Sequence, residues 1–161
     1  MGLSFFDRIV FLVMPDDKGK VNMYKLTTEN SFDGAHFLAE YDGKCRNIHG
    51  HRWRVLVEIQ CENLRQDRQQ REMCVDFANL KEDLKVETEK LDHAFIIEKD
   101  SLKQKTFEAL MDENFEMVVV DFRPTAENFA KYFYDKMKAK GYNVSEVKIY
   151  ETPNNCASYS E

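Results

Sequence analysis

Trp53-Arg54-Val55-Leu56-Val57-Glu58-Ile59 is the stretch that decides the fold. Trp53, Val55, Val57 and Ile59 alternate with Arg54, Leu56 and Glu58, and a period of two predicts a strand with one apolar face. That face needs a cover, and two helical stretches follow. Asp76 is a good N-cap, with Phe77, Leu80, Leu84 and Leu91 on one stripe behind it. Pro124-Thr125 opens the second helix, Phe129, Phe133 and Met137 line one side, and Gly141 stops it. Polar residues Asn63 to Arg71 read as a hairpin loop into a second strand around Glu72–Val75. Val144 to Tyr150 and Asn155 to Tyr159 read as closing strands, and residues 101–112 as a short inserted helix. The order strand, strand, helix, helix, strand, strand predicts an α+β fold, not alternating βαβ. Upstream, Pro15 to Lys20 is a turn signal that separates the first 14 residues, of which 5–13 form a candidate extra strand.

The chain has 161 residues, which fits one domain with no need of a disulfide or metal merely to fold. Its 23 basic and 29 acidic residues leave a net charge of −6, which argues against a nucleic-acid or anionic-membrane binder. Ile9 to Met14 is too short for a membrane helix, and it lacks the basic lead-in and cleavage site of a signal peptide. Met1-Gly2 is followed by Phe6 where a myristoylation motif wants Ser or Thr. Cys45, Cys61, Cys74 and Cys156 form no Cys-x-x-Cys pair or short-spaced framework. The expectation is free thiols in a reducing cytoplasm, with Cys61, Cys74 and Cys156 buried.

Three of the four histidines lie between positions 36 and 51. His49 and His51 flank Gly50, and residues at i and i+2 project from the same face of an extended segment. An imidazole from a neighbouring strand, His36, would complete a three-nitrogen zinc site. Cys45 precedes the pair. As a fourth ligand it would close the site into a structural one. Left off the metal, beside zinc and Lys44, it would be a proton shuttle instead, and the spacing leaves both open. The fourth histidine follows Asp92 at the expected C-terminal end of the first helix, where a carboxylate faces the negative end of the helix dipole. Orienting the His93 imidazole would explain that placement. Thr125, Glu127 and Glu151 sit where a helix start and a strand end ordinarily carry polar residues.

Taken together, the segments resemble the 6-pyruvoyltetrahydropterin synthase / 6-carboxytetrahydropterin synthase family. The matching pieces are Phe32 to His36, Gly43 to Cys45, His49-Gly50-His51, Val75 to Lys81, Leu91-Asp92-His93, Pro124 to Asn128 and Tyr150-Glu151-Thr152. They run in family order from about residue 22 onward. The resemblance implies the tunnelling fold, a four-stranded antiparallel sheet with two helices on one face, closing into a barrel by oligomerisation. A homo-oligomer, commonly a hexamer of two trimers with shared sites, would follow. It also implies one catalytic Zn2+ per subunit on His36, His49 and His51, with Cys45 as general acid/base and Asp92 and His93 as its dyad. Glu151 would anchor the pterin ring, with Thr125 and Glu127 in or near that pocket. Three residues separate Cys45 from His49, the spacing typical of the queuosine-pathway 6-carboxytetrahydropterin synthases, against five in the biopterin-pathway enzymes. Those synthases convert 7,8-dihydroneopterin triphosphate to 6-carboxytetrahydropterin, acetaldehyde and triphosphate. A pyruvoyl product and a non-catalytic zinc or pterin binder are the alternatives. Lys44, Arg46 and Arg52 are candidates to meet the triphosphate. Residues 1–20 read as an N-terminal extension and residues 99–118 as an insertion within the single 1–161 domain.

Overall fold

The strand read at Trp53 is longer at both ends in the computed structural model, which describes residues 23–161 and, ahead of them, Leu12 alone. The strand expected over residues 5–13 and the 1–20 extension therefore fall outside the described residues. The long strand is β2, His49–Cys61. Its hairpin partner lies upstream, not downstream: β1, Tyr24–His36, pairs with it antiparallel, setting Phe32 opposite Trp53 and His36 opposite His49. The expected strand at Glu72–Val75 does not form. That stretch is the return leg of a loop closed by the backbone pair Arg65 and Met73. The inward-facing positions of β1 include Thr28 and Asn30, so its alternation is partly polar and does not stand out by hydrophobicity. Asn30 Nδ2 donates to Thr88 Oγ1 at 2.8 Å, which satisfies that polar position beneath a helix.

The loop's return also brings Cys61 and Cys74 together, Cα atoms 6.0 Å apart, in a disulfide. This corrects the expectation of four free thiols. The spacing hides a pairing that depends on how the loop doubles back. Cys45 and Cys156 remain free, and Cys156 is exposed, not buried.

Helix α1 (Phe77–Glu89) starts where expected, with Asp76 accepting from the Ala78 N–H at 2.8 Å. Leu80, Leu84 and Leu91 are buried, but Phe77 at the first turn is 49% exposed and leaves the stripe. After it come β3 (Ala94–Glu98), α2 (Gln104–Asp112) and β4 (Met117–Val120). Next is α3 (Ala126–Ala139), capped by Thr125 and followed by Gly141 at φ 92°. The positive φ explains that glycine as a helix stop. Strands β5 (Val144–Thr152) and β6 (Asn155–Tyr159) close the chain.

The sheet holds six strands in the order β4-β3-β1-β2-β5-β6, not four. The four strands β1, β2, β5 and β6 pair antiparallel throughout. The extra pair, β3 and β4, joins parallel to β1 and to each other, with α2 as the crossover. Removing β3-α2-β4 restores strand, strand, helix, helix, strand, strand. Residues 99–118, read from the sequence as an insertion, run from the end of β3 through α2 into β4. Helices α1 and α3 cover one sheet face, burying Leu80, Leu84, Phe129, Phe133 and Met137 on Phe32, Trp53, Val55, Val57, Ile59, Val147 and Ile149. Each such side chain contributes about 1.5–3 kcal/mol. Helix α2 buries no residue. Trp53 and Phe32 are both fully buried at the His36/His49 end of this core, with ring centroids 6.0 Å apart.

Candidate metal centre and active site

The β1–β2 register gathers the three histidines. His36 sits opposite His49, and His51 follows on the same face two residues later. Their ligand nitrogens all lie within 4.8 Å of one another. Beneath them lies Trp53, its ring centroid 5.0 Å from that of His36 and 5.4 Å from that of His51, both near-perpendicular, so the triad stands on the end of the aromatic core.

Backbone carbonyls orient two of the rings. His36 Nδ1 bonds the Pro124 carbonyl at 2.8 Å, and His49 Nδ1 bonds the Asn47 carbonyl at 2.7 Å. With Nδ1 donating, each ring turns an unprotonated Nε2 inward, the arrangement that metal-ligating histidines use. His36 is 1% exposed, and its Nε2 is buried without a partner. An orphaned buried acceptor in a ring of imidazoles fits a cation. Burial pushes the His36 pKa down to about 4, with His49 and His51 adding like-charge repulsion. His51 is also lowered, first by burial, against an opposing pull from Glu151. Both imidazoles are therefore neutral near pH 7, the form that binds metal.

Cys45 lies in a single 3-10 turn, Lys44–Arg46, held by Arg46 N–H donating to the Gly43 carbonyl at 3.2 Å. Its sulfur is not part of the three-histidine cluster. It borders a cavity of about 330 Å³ shared with Thr125, Glu127 and Glu151. Thr125 doubles as the α3 cap, accepting from the Asn128 N–H at 3.4 Å, and Glu127 sits in the helix's first turn. Glu151, near the end of β5, brings a carboxylate to the triad: its Oε1 is 3.7 Å from both His36 Nε2 and His51 Nε2.

Asp92 and His93 form a dyad, Oδ2 to Nδ1 at 2.8 Å, just beyond α1. The Asp33 N–H donates to Asp92 Oδ1 at 2.8 Å and holds that carboxyl low, with His93 adding to the effect. Asp92 in turn raises the His93 pKa. The backbone turns into β3 through His93 itself, whose φ of 57° is left-handed. Histidine tolerates that region better than most residues, yet the conformation still costs about 1–3 kcal/mol.

The dyad does not join Cys45. His93 borders a different cavity, of about 700 Å³, with Asp33, Ala35, Arg52, Leu110 and Phe115. The two cavities share no lining residue. Asp33, Ala35 and Arg52 alternate with the histidines along β1 and β2, so their side chains leave the opposite sheet face. Among the triad only His51 borders the larger cavity. The three basic candidates also scatter. Arg52 pairs with Asp33 at 3.5 Å on the dyad side, Arg46 borders a third cavity with Tyr41 and Asp42, and Lys44 is exposed.

The sequence held no signal for Pro124 or Asn47, since every residue carries a carbonyl. Asp33, which braces the dyad, lies three residues before His36, and it does so through its backbone, which no residue pattern marks.

Residues 25–161 match the family described as 6-pyruvoyl tetrahydropterin synthase. The chain belongs to that family. It is an enzyme of the family, and the curated relatives it matches are named 6-carboxy-5,6,7,8-tetrahydropterin synthase. That of Haemophilus influenzae is 34% identical over 142 residues, covering 86% of this chain and 100% of the relative. That of Aquifex aeolicus is 32% identical over 80% of this chain and 83% of the relative. Among solved structures, the Caenorhabditis elegans 6-pyruvoyl tetrahydropterin synthase superposes with a TM-score of 0.62 at 25% identity, covering 88% of this chain and 97% of the other. An uncharacterized protein of Wolinella succinogenes reaches 0.71 at 24% identity over 87% and 99%, a likeness of fold. Among the described residues, no helix is long and apolar enough to cross a membrane.

Proposed function

We propose that the chain is a zinc-dependent lyase converting 7,8-dihydroneopterin triphosphate to 6-carboxy-5,6,7,8-tetrahydropterin, with release of acetaldehyde and triphosphate. The observation that carries this is a three-imidazole pocket in a chain 34% identical to a 6-carboxy-5,6,7,8-tetrahydropterin synthase along that relative's whole length. The three residues between Cys45 and His49 agree with it.

Zinc held by His36, His49 and His51 would bind the substrate's side-chain hydroxyls and make them more acidic. The chain's own groups do the rest. Glu151 accepts from the two adjacent N–H donors on the pterin edge, a bidentate match that fixes the ring in the cavity. Thr125 and Glu127 border the same space. Cys45, on the turn at its rim, takes and returns a proton at the side chain, as a retro-aldol loss of acetaldehyde requires. His93, its tautomer set by Asp92, exchanges the second proton.

Cys45 and His93 face different cavities of one chain, so the reading requires an oligomer. A neighbouring copy supplies the dyad across the sheet face, and the site is shared. The substrate is a small pterin triphosphate, with no nucleic acid or membrane partner, and the proposed setting is cytoplasmic.

The test is to incubate zinc-loaded protein with dihydroneopterin triphosphate and identify the products by mass. Acetaldehyde with the carboxy product supports the assignment. A pyruvoyl product without acetaldehyde replaces it with the synthase that keeps the side-chain carbons. Mixing the inactive variants Cys45→Ala and His93→Ala under subunit exchange tests the sharing: about a quarter of the sites then receive both intact groups, and activity returns to that level. Sites built within one chain would stay dead in every mixture.

A further inference from the structure

The carboxylate of Glu151 stands where a metal's fourth donor would. At zinc–nitrogen and zinc–oxygen lengths of about 2.0–2.1 Å, the edges of a tetrahedral site measure about 3.3 Å. Glu151 Oε1 is 3.7 Å from His36 Nε2 and 3.7 Å from His51 Nε2. Two of the three edges to the carboxylate are thus within about 0.4 Å of the coordinated length. The imidazole nitrogens lie within 4.8 Å of one another. His49 is the ring Glu151 has yet to approach. The free Nε2 of His36, buried and unpartnered, is the independent sign that a cation belongs between these groups. Cys45, the other candidate, belongs to neither the cluster nor these close pairs.

We propose that Glu151 is the metal's fourth donor while the pocket is empty, and that a pterin ring must draw it off before the metal opens to substrate. This rests on the reading of the triad as a metal site and of Glu151 as the pterin anchor. One carboxylate then has two stations, and β5 allows both. Glu151 is the penultimate residue of that strand, its side chain is 29% exposed, and it borders the cavity it shares with Thr125 and Glu127. The empty enzyme holds a closed four-donor site, which retains its metal and keeps stray ligands off. Binding of the ring opens the fourth position only when a substrate is there to fill it.

A shared carboxylate couples the two ligands, and coupling between binding sites is reciprocal. The probe is 2-amino-4-oxopteridine, a pterin ring without a side chain to offer the metal. Wild-type protein, metal-free and zinc-loaded, is titrated with it. Zinc should weaken ring binding at least about tenfold, and saturating ring should weaken zinc by the same factor in competition with a chromophoric chelator. Glu151→Gln should lose at least about tenfold in zinc affinity with no ring present, at unchanged oligomer size. Equal ring affinity with and without zinc, or unchanged zinc affinity in the variant, overturns the proposal. The wild-type arm needs no variant, so a misfolded Glu151→Gln leaves the decision with it. If the ring binds neither form, the anchor reading fails and with it the two-station device. Zinc affinity of Glu151→Gln then still decides whether the carboxylate is a donor. If wild type takes up no zinc, the reading of the triad falls.

Discussion

His36 makes the metal-free protein sensitive to acid in a way that can be worked out from its burial. Its folded pKa of about 4 lies below the ordinary 6.5 of an exposed histidine. The unfolded chain therefore takes up a proton near pH 6.5 that the folded chain refuses until about pH 4. Stability is intact above 6.5, falls as pH drops, and stops falling once the folded state also protonates. The gap between the two values, at 1.36 kcal/mol per pH unit, caps the loss at about 3 kcal/mol. Between about pH 7.5 and about pH 4.5 the loss is about 2.5 kcal/mol. His36 is 1% exposed, so solvent screening takes little from this figure. Carboxylates also titrate in that window, and a comparison removes them. Urea unfolding of wild type and His36→Gln, both stripped of metal and at one protein concentration, should show a stability gap that narrows by about 2.5 kcal/mol as the pH is lowered. A gap that stays constant would mean that His36 titrates as an exposed group. The His36 imidazole would then not be held neutral and ready for a cation.

His49→Ala should bring zinc content from one per chain to near none by elemental analysis; unchanged zinc would remove His49 from the site. Cys45→Ala should keep its zinc and oligomer size while losing turnover, and loss of metal instead would make Cys45 a ligand. Asp92→Asn should lower the His93 pKa, because the hydrogen bond and charge that raise it are gone; an imidazole NMR titration reads this, and an unmoved His93 would show that the dyad is not formed in solution.

The two long helices and the closing hairpin were legible because their signals are local. Asp76 and Thr125 cap through their own side chains, and Leu80, Leu84, Phe129, Phe133 and Met137 repeat at helical spacing. Strand β1 was not, because inward positions Thr28 and Asn30 are polar and are satisfied only once α1 lies over them. Without a visible β1, the alternation at Trp53 points to a hairpin partner downstream, and the return leg ending in the Cys61–Cys74 bond reads as a strand. The β3-α2-β4 unit is hard to place from the sequence for a related reason. Ile96 and Ile97 in β3 are both buried, so this short strand carries a continuous apolar run and no alternation.

The site divides along the same line. His49-Gly50-His51 needs only the extended geometry of its own strand to put two imidazoles on one face, and His36 needs one register to join them. That register also fixes what lies on the other face. Gly34 faces His51 and Ala35 faces Gly50, so Asp33 and Arg52 leave the sheet on the side away from the metal. The Asp33 backbone then captures both members of the dyad, through its N–H to Asp92 and its carbonyl from the His93 N–H. One β-hairpin thus carries the three imidazoles on its core-facing side and the dyad's brace on the other. The proposed shared site would bring these two groups together only between copies. The His93 side chain is 80% exposed yet held by Asp92, so it is oriented in the single chain and open to a neighbouring copy, as the proposed shared site requires.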